Sequence, residues 1–371
     1  MSKPEDLATA RSPQPAICLT RRRVLAGASA ASLITLTSGC GALSLPGSGT
    51  AARTDGPRRS AVLLPLSGSS EELGQRLRIA ATLGGGPGIG IEILDSGSTA
   101  ETAAAAAQAA EAAGAQVIVG PVFSAQTEAV AQAVRVPVVS LSNNAALAGR
   151  QTFVFGVTPA QSAQAILSIA AQRGLADVAT VVPPGAFGEQ SAAASEQVGR
   201  AIGLNMRPTL VRSTSEGLIA ALQADGPLPK AVYLPVADET LSGFADALAG
   251  QGMQLLGSTQ WSALDLSGRR AFQEAWFAAP DPLRFAAFDE AYAEVAGSSG
   301  GIITGLAFDG VELLRILGQT GQLSVAGLTR KDGFTGVVGP YRFLRSGLCE
   351  RGLGVLKVGA GEFSLIGSTS V

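Results

Sequence analysis

The sequence predicts an α/β protein with two Rossmann-like parallel-sheet lobes joined by a three-stranded hinge. Three observations carry this. Across residues 91–143, apolar runs alternate with helix signals in the order strand, helix, strand, helix, strand. Short buried strands linked by crossover helices form a parallel sheet covered on both faces. The same alternation returns across residues 160–239. Finally, roughly three hundred residues follow the N-terminal segment, a length at which a chain divides into two cores rather than enlarging one.

In the first repeat, the apolar run 91–94 stops at Asp95 and Gly97. Ser98 and Glu101 then stand three apart, the spacing of a capping box. The Ala-rich run behind them has high helix propensity, and Gly114 is placed to end it. The run 117–119 breaks at Gly120-Pro121, a second helix starts near Ser124, and the run 136–139 ends in the polar loop Ser140-Leu141-Ser142-Asn143. Upstream, a buried strand from Ser60 ends at Pro65, and Leu66-Ser67-Gly68 forms its loop. Leu73, Leu77, Ala80 and Ala81 then share one helix face. The glycine-rich stretch 84–90 follows a helix and opens a strand, the reverse of a dinucleotide fingerprint, and is read as a turn. No Gly-Lys-Ser/Thr occurs, which excludes a Walker loop.

The first crossing between lobes is expected at 153–159. A helix over 160–173 leads to the strand 178–182, the loop 183–188 and another helix. The strand 231–234 and the loop 235–239 follow. Residues 277–282 turn the chain back, and helices over 284–296 and 301–318 return to the first lobe. A third crossing near Phe334 lets the strands 337–343 and 353–358 complete the second. The expected division is therefore 60–156 plus 283–333 for lobe one and 157–282 plus 334–371 for lobe two. Three crossings between two lobes make a hinged cleft suited to closing on a ligand.

The N-terminus reads as an export signal. Arg21-Arg22-Arg23 precedes an uncharged run over 24–36, too short to span a bilayer but suited to a signal h-region. The arginines after Thr20 resemble a Tat signal, and Thr37-Ser38-Gly39-Cys40 resembles a lipoprotein cleavage box, with Thr37 where Leu is usual. Residues 1–39 are then a signal peptide, Cys40 the lipidated residue, and 40–59 a flexible tether rich in Gly, Ser, Pro and Arg. An ordinary thiol behind an ordinary signal peptide is the other reading of Cys40. On the first reading the protein is a membrane-anchored lipoprotein of the periplasm, the membrane being undecided.

Without residues 1–39 the chain carries 22 basic and 27 acidic residues, a net charge of −5. No basic run remains, so a nucleic-acid partner is not expected. Cys349 has no partner for an internal disulfide and reads as a small core or strand residue.

Catalytic constellations are hard to assemble from this sequence. It contains no histidine, which removes Ser-His-Asp and Cys-His arrangements and His-containing zinc sites. Gly297-Ser298-Ser299-Gly300-Gly301 has nucleophile-elbow spacing, but it lies between two helices rather than between a strand and a helix, and reads as a loop. None of Lys3, Lys230, Lys331 and Lys357 has a Ser three residues earlier. Asp238-Glu239 and Asp289-Glu290 fall at helix starts or on helix faces, where solvation or the helix dipole explains them. No enzymatic activity, cofactor or metal is expected.

Binding is better supported. Ligands of open parallel sheets sit beyond the carboxyl ends of the strands. Ser124 with Thr127, and Ser140 with Ser142 and Asn143, fall there, and a helix N-terminus favours an anion. Helix capping at Ser124 and a turn at Ser142-Asn143 account for the same residues without a ligand.

The stretch GPVFSAQTEAVAQAVRVPVVSLSN resembles the type I periplasmic solute-binding proteins of the Leu/Ile/Val-binding family. AVLLPLSGSSEELGQRLRIAATL, VVPPGAFGEQSA, AFDGVELLRIL and GFTGVVGPYRFLRSGLCERGL resemble further segments in the same order, so the likeness spans residues 60–368. LLPLSG, ALDLSGRRAFQEAWFAAPDP and RGLGVLKV bring it nearest the penicillin-binding protein activator branch. The resemblance implies ligand contacts from Ser67, Ser124, Ser140, Ser142 and Asn143 in lobe one. From lobe two it implies an aromatic at Phe187 and an acidic partner for an ammonium at Asp238. Phe187 departs from the Tyr usual in amino-acid receptors. Two functions follow from the resemblance. One is a lipid-tethered regulator that binds a peptidoglycan synthase through its surface, with the cleft reduced or repurposed. The other is the receptor of an ABC permease that closes on a small zwitterion such as an amino acid.

Overall fold

The computed structural model describes residues 59–85 and 90–371. The expected signal peptide, Cys40, nearly all of the tether and the middle of the 84–90 turn lie outside the described residues.

Five strands form a wholly parallel sheet in the order β2-β1-β3-β4-β5. They are β1 (Arg59–Leu64), β2 (Gly90–Asp95), β3 (Ala115–Val119), β4 (Val138–Ser140) and β5 (Thr152–Val154). The crossover helices are α1 (Glu71–Gly84), α2 (Ala100–Ala112) and α3 (Ser124–Ala133). Side-chain alternation along β1 divides the core in two. Val62 and Leu64 pack with Leu77 of α1, whereas Ala61 and Leu63 pack with Ala103 and Ala107 of α2 and Val130 of α3.

The capping box of α2 lies one residue later than expected. Thr99 caps the helix: its hydroxyl accepts from the Thr102 N–H at 3.2 Å, and the Thr102 hydroxyl accepts from the Thr99 N–H at 3.2 Å. A threonine at the third helical position closes the reciprocal pair that a Ser-x-x-Glu pattern assigns to glutamate. Gly114 ends the helix as expected, with φ +95°.

The second sheet begins with β6 (Asp177–Val182), β7 (Asn205–Met206), β8 (Leu210–Val211), β9 (Ala231–Leu234), β10 (Gln254–Gly257) and β11 (Trp276–Ala279). Helices α4 (Pro159–Gln172) and α5 (Ala186–Ala201) cover one face, over Val178, Tyr233 and Leu256. Helices α6 (Leu218–Leu222) and α7 (Glu239–Leu248) cover the other, with Val232, Leu234 and Trp261. The stretch read as a return turn thus begins with a strand. Trp276–Ala279 pairs parallel with β10 before Pro280 ends it.

The chain then runs back through α8 (Pro282–Ala296) and α9 (Ile302–Thr320), which pack on α1, and through the short α10 (Val325–Leu328). A separate antiparallel sheet follows, made of β12 (Phe334–Gly336), β13 (Gly339–Phe343) and β14 (Cys349–Arg351). Only then do β15 (Gly354–Val358) and β16 (Phe363–Ser368) join the second sheet, antiparallel at its edge.

This corrects two expectations. The strand 337–343 does not complete the second sheet, and residues 334–349 belong with the core of the first. The reason lies in β13, where buried and half-buried residues alternate, as in a strand with one covered face rather than a parallel strand buried on both. Its Tyr341 ring lies 4.8 Å from that of Phe155, and its Phe343 ring 5.5 Å from that of Phe153. The third passage of chain between the bodies is therefore at Gly352-Leu353.

Beside it, Arg351 stands over the rings of Phe155 and Tyr341 at 4.6 and 5.1 Å and donates to the Phe155 carbonyl at 2.9 Å. Asp309 is buried nearby and accepts from the Val337 and Val338 N–H groups at 2.7 and 3.1 Å. Burial pushes its carboxyl up to about 6, against the downward pull of Arg351 and of those two N–H groups.

Candidate functional site

The carboxyl ends of the two sheets face a common cleft of about 810 Å³. Strand β3 ends at Gly120-Pro121, where the backbone turns sharply. Gly120 has φ +89°, and a Cβ there would lie 2.2 Å from the Leu63 carbonyl oxygen. The turn delivers Phe123 and Ser124 to the start of α3, whose first N–H groups have no intrahelical acceptor. The Ser124 hydroxyl lies 3.0 Å from that of Ser142, on the loop after β4. Beneath them, the Ser140 hydroxyl lies 2.7 Å from that of Thr127 and accepts from the Ser142 N–H at 3.1 Å. Arg76 reaches the rim from α1 and donates to the Gly300 carbonyl at 3.1 Å.

The opposite wall comes from the second sheet. Phe187 and Ser191 lie one turn apart on α5, and Tyr233 projects from β9. The loop after β10 supplies Ser258, Thr259 and Gln260. Gln260 accepts from the Ala237 N–H at 3.2 Å, which ties this loop to the one after β9. Ser162 of α4 and Thr259 pair their hydroxyls at 2.9 Å.

Of the residues expected to bind a ligand, Ser124, Ser142, Asn143 and Phe187 line the cleft. Three do not. Ser140 is fully buried below the floor and orients the loop instead. Ser67 stands at the end of β1, with its hydroxyl on Asp95. Burial raises the Asp95 carboxyl, but the bonds from Ser67, Gly97 and Leu66 outweigh it and leave the group below its ordinary value. Asp238 caps α7 and accepts from the Thr240 N–H and hydroxyl at 3.0 and 2.6 Å. Sequence reasoning missed Arg76, Ser191, Tyr233 and the 258–260 loop. The strand-end rule applied to β10 would have found the loop. A tyrosine inside the buried run of β9 was a signal too, since its hydroxyl needs a destination.

Among the described residues, Arg76 is the one charged side chain lining the cleft, and no acidic side chain lines it. No group of three His, Cys, Asp or Glu gathers as a metal site among the described residues.

The sequence matches the family model described as "Periplasmic binding protein" over residues 59–347. The chain belongs to the periplasmic binding protein family. Membership implies a periplasmic location, and no helix among the described residues is long and apolar enough to cross a membrane. Solved structures show the same fold. One is the C-domain of LpoA from Haemophilus influenzae, a regulator of PBP1A, at 15% identity and TM-score 0.68, covering 83% of this chain and 100% of that one. Another is the leucine-, isoleucine-, valine-, threonine- and alanine-binding protein of Brucella ovis in its closed conformation, at 17% identity and TM-score 0.65, covering 85% and 95%. A third is the solute-binding protein of an ABC transporter from Rhodopseudomonas palustris BisB5 with 3,4-dihydroxybenzoic acid, at 18% identity and TM-score 0.62, covering 84% and 97%. No curated protein sequence matches the chain.

Proposed function

We propose that this periplasmic binding protein is non-enzymatic, holds a small polar solute between its two bodies, and acts as a regulator of peptidoglycan synthesis anchored by lipid at Cys40. The observation that carries the reading is the charge inventory of the cleft. A zwitterionic amino acid would bring a carboxylate to Ser124, Ser142 and Arg76, where it is well received. Its ammonium would find no carboxylate, because no acidic side chain among the described residues lines the cleft, Asp238 standing outside it at the start of α7, and Phe187 offers no hydroxyl. An unpaired buried charge costs more than its contacts return. Amino-acid transport therefore fits the cleft poorly. The fold of the LpoA C-domain is matched over its whole length, which supports the regulatory output.

The experiment is co-purification of the lipid-tethered protein with a bifunctional penicillin-binding protein, followed by a glycan-polymerisation assay. Capture with faster polymerisation is the expected result, and no capture with an unchanged rate contradicts it.

A second reading is the receptor of an ABC permease for a small polar solute. The size of the cleft favours it, since about 810 Å³ holds a ligand with room to spare. A thermal-shift panel tests solute binding directly, because a ligand at a hundred times its dissociation constant stabilises by about 2.7 kcal/mol.

A further inference from the structure

Two polar groups of the second wall are left unsatisfied. Ser191 and Tyr233 are 1% and 0% exposed, both line the cleft, and neither hydroxyl has a hydrogen-bond partner in the protein. Buried hydroxyls are nearly always paired, so each such exception calls for an explanation. Burial holds the Tyr233 phenol well above its ordinary value, so it stays an O–H and can donate. Ser191 follows Phe187 by four residues on α5, which puts the two on one helix face, with the serine a turn further along.

The first wall has the opposite character. Arg76, the Ser124 and Ser142 hydroxyls and the start of α3 all favour negative charge. The cleft thus has an anion-receiving end, no acidic side chain, and a second wall that carries two unpaired neutral hydroxyls.

We infer that the cleft selects a small carboxylate that lacks a protonated amine and carries an uncharged hydroxyl or carbonyl group at its far end, with Ser191 and Tyr233 as the residues that read that group. The inference rests on the cleft being a ligand site and deepens that reading. It holds whether the output is regulation or transport. The carboxylate sits at Ser124 and Ser142, the body of the molecule passes Phe187, and the polar end supplies the partner that the two hydroxyls lack.

Matched pairs of probes test this by isothermal titration of the purified protein. Leucine and its 2-oxo acid, 4-methyl-2-oxopentanoate, differ in the amine. Phenylacetate and 4-hydroxyphenylacetate differ in the polar end. 4-Hydroxyphenylacetate is expected to bind about tenfold more tightly than phenylacetate, the worth of one buried hydrogen bond. The oxo acid is expected to bind at least about tenfold more tightly than leucine, whose ammonium meets no carboxylate among the described residues of the cleft. Tyr233→Phe and Ser191→Ala are each expected to shrink the ratio of 4-hydroxyphenylacetate to phenylacetate affinity several-fold. Tyr233→Phe should melt no lower than the parent, because it removes a group that is already unpaired, so a folding defect would not imitate the effect. Leucine binding as tightly as its oxo acid, or an unaltered hydroxyl preference in both variants, overturns the inference while acid binding at the cleft stands. If no acid binds, or if Ser124→Ala leaves every affinity unchanged, the inference and the ligand-site reading fall together.

Discussion

The hydroxyls of Ser124 and Ser142 meet at 3.0 Å although they are 18 residues apart in the chain. One stands at the start of α3 and the other on the loop after β4, so the contact joins two strand-end elements of the first sheet at the floor of the cleft. Neither residue caps α3, because the N-cap position is Phe123 and Ser124 is the first residue of the helix. Replacing either with Ala should weaken the best-binding acid by about 1–2 kcal/mol, and the double variant should lose less than the sum, since the two share one bond. Titration calorimetry of the three variants checks this, and strict additivity would contradict a shared site.

Ser140 has a different role. Its hydroxyl pairs with Thr127, accepts from the Ser142 N–H and lies 3.3 Å from the Pro121 carbonyl, all without solvent contact. Ser140→Ala is expected to cost about 1–3 kcal/mol of stability, whereas Asn143→Ala, on the exposed part of the same loop, should stay within about 0.5 kcal/mol. Urea unfolding distinguishes the two, and equal losses would mean that Ser140 is not what holds the loop.

Asp309 should leave a signature in the pH dependence of stability. Its carboxyl is held up at about 6 in the folded chain, against 3.8 in the unfolded one. The folded state thus keeps a proton that the unfolded state has released. The associated stability is fully present below about pH 4, is lost as pH rises through about 6, and changes little beyond, by up to ~3 kcal/mol in all. Other carboxylates titrate in this range, so the readout is the difference between the parent and Asp309→Asn in urea midpoints at pH 4, 5, 6 and 7. That difference should change across the window, and a constant offset would refute it.

Gly257 ends β10 against the ring of Trp261, and a Cβ there would come within 2.2 Å of it. That ring is fully buried, and its Nε1–H donates to the Leu234 carbonyl at 3.0 Å. Gly257→Ala is expected to destabilise by about 1–3 kcal/mol through overpacking, with a shift in tryptophan emission. It should also weaken solute binding, because Trp261 lies within the Thr259–Ala263 turn, which borders the cleft. Unchanged melting and emission would show that the ring has room to move.

Much of this fold was legible because its signals are local. Residues 91–143 alternate apolar runs with helix caps and breakers, and that pattern alone implies a parallel sheet whose strand ends, at Ser124 and Ser142, line the cleft. What remained hidden depends on partners distant in sequence. β13 looks like another core strand until Phe153 and Phe155 are seen to cover one of its faces. β7 and β8 are two residues each, and only pairing with β6 makes them strands. Asp238 had the right residue type for an ammonium partner, but it caps α7 through Oδ1 and does not line the cleft. Ser191 and Tyr233 carry no motif. Their interest comes from hydroxyls left unpaired by the packing around them, which the order of residues does not display.

The most direct measurement is a distance across the cleft. Spin labels at Glu128→Cys on α3 and Glu196→Cys on α5, both exposed positions, would report it in a background where Cys18, Cys40 and Cys349 are replaced by Ser. A binding protein that closes on its solute should show this distance shorten by several ångströms on saturation with an acid that Ser124→Ala fails to hold. A distance that stays the same at saturation would contradict a cleft that closes on a ligand.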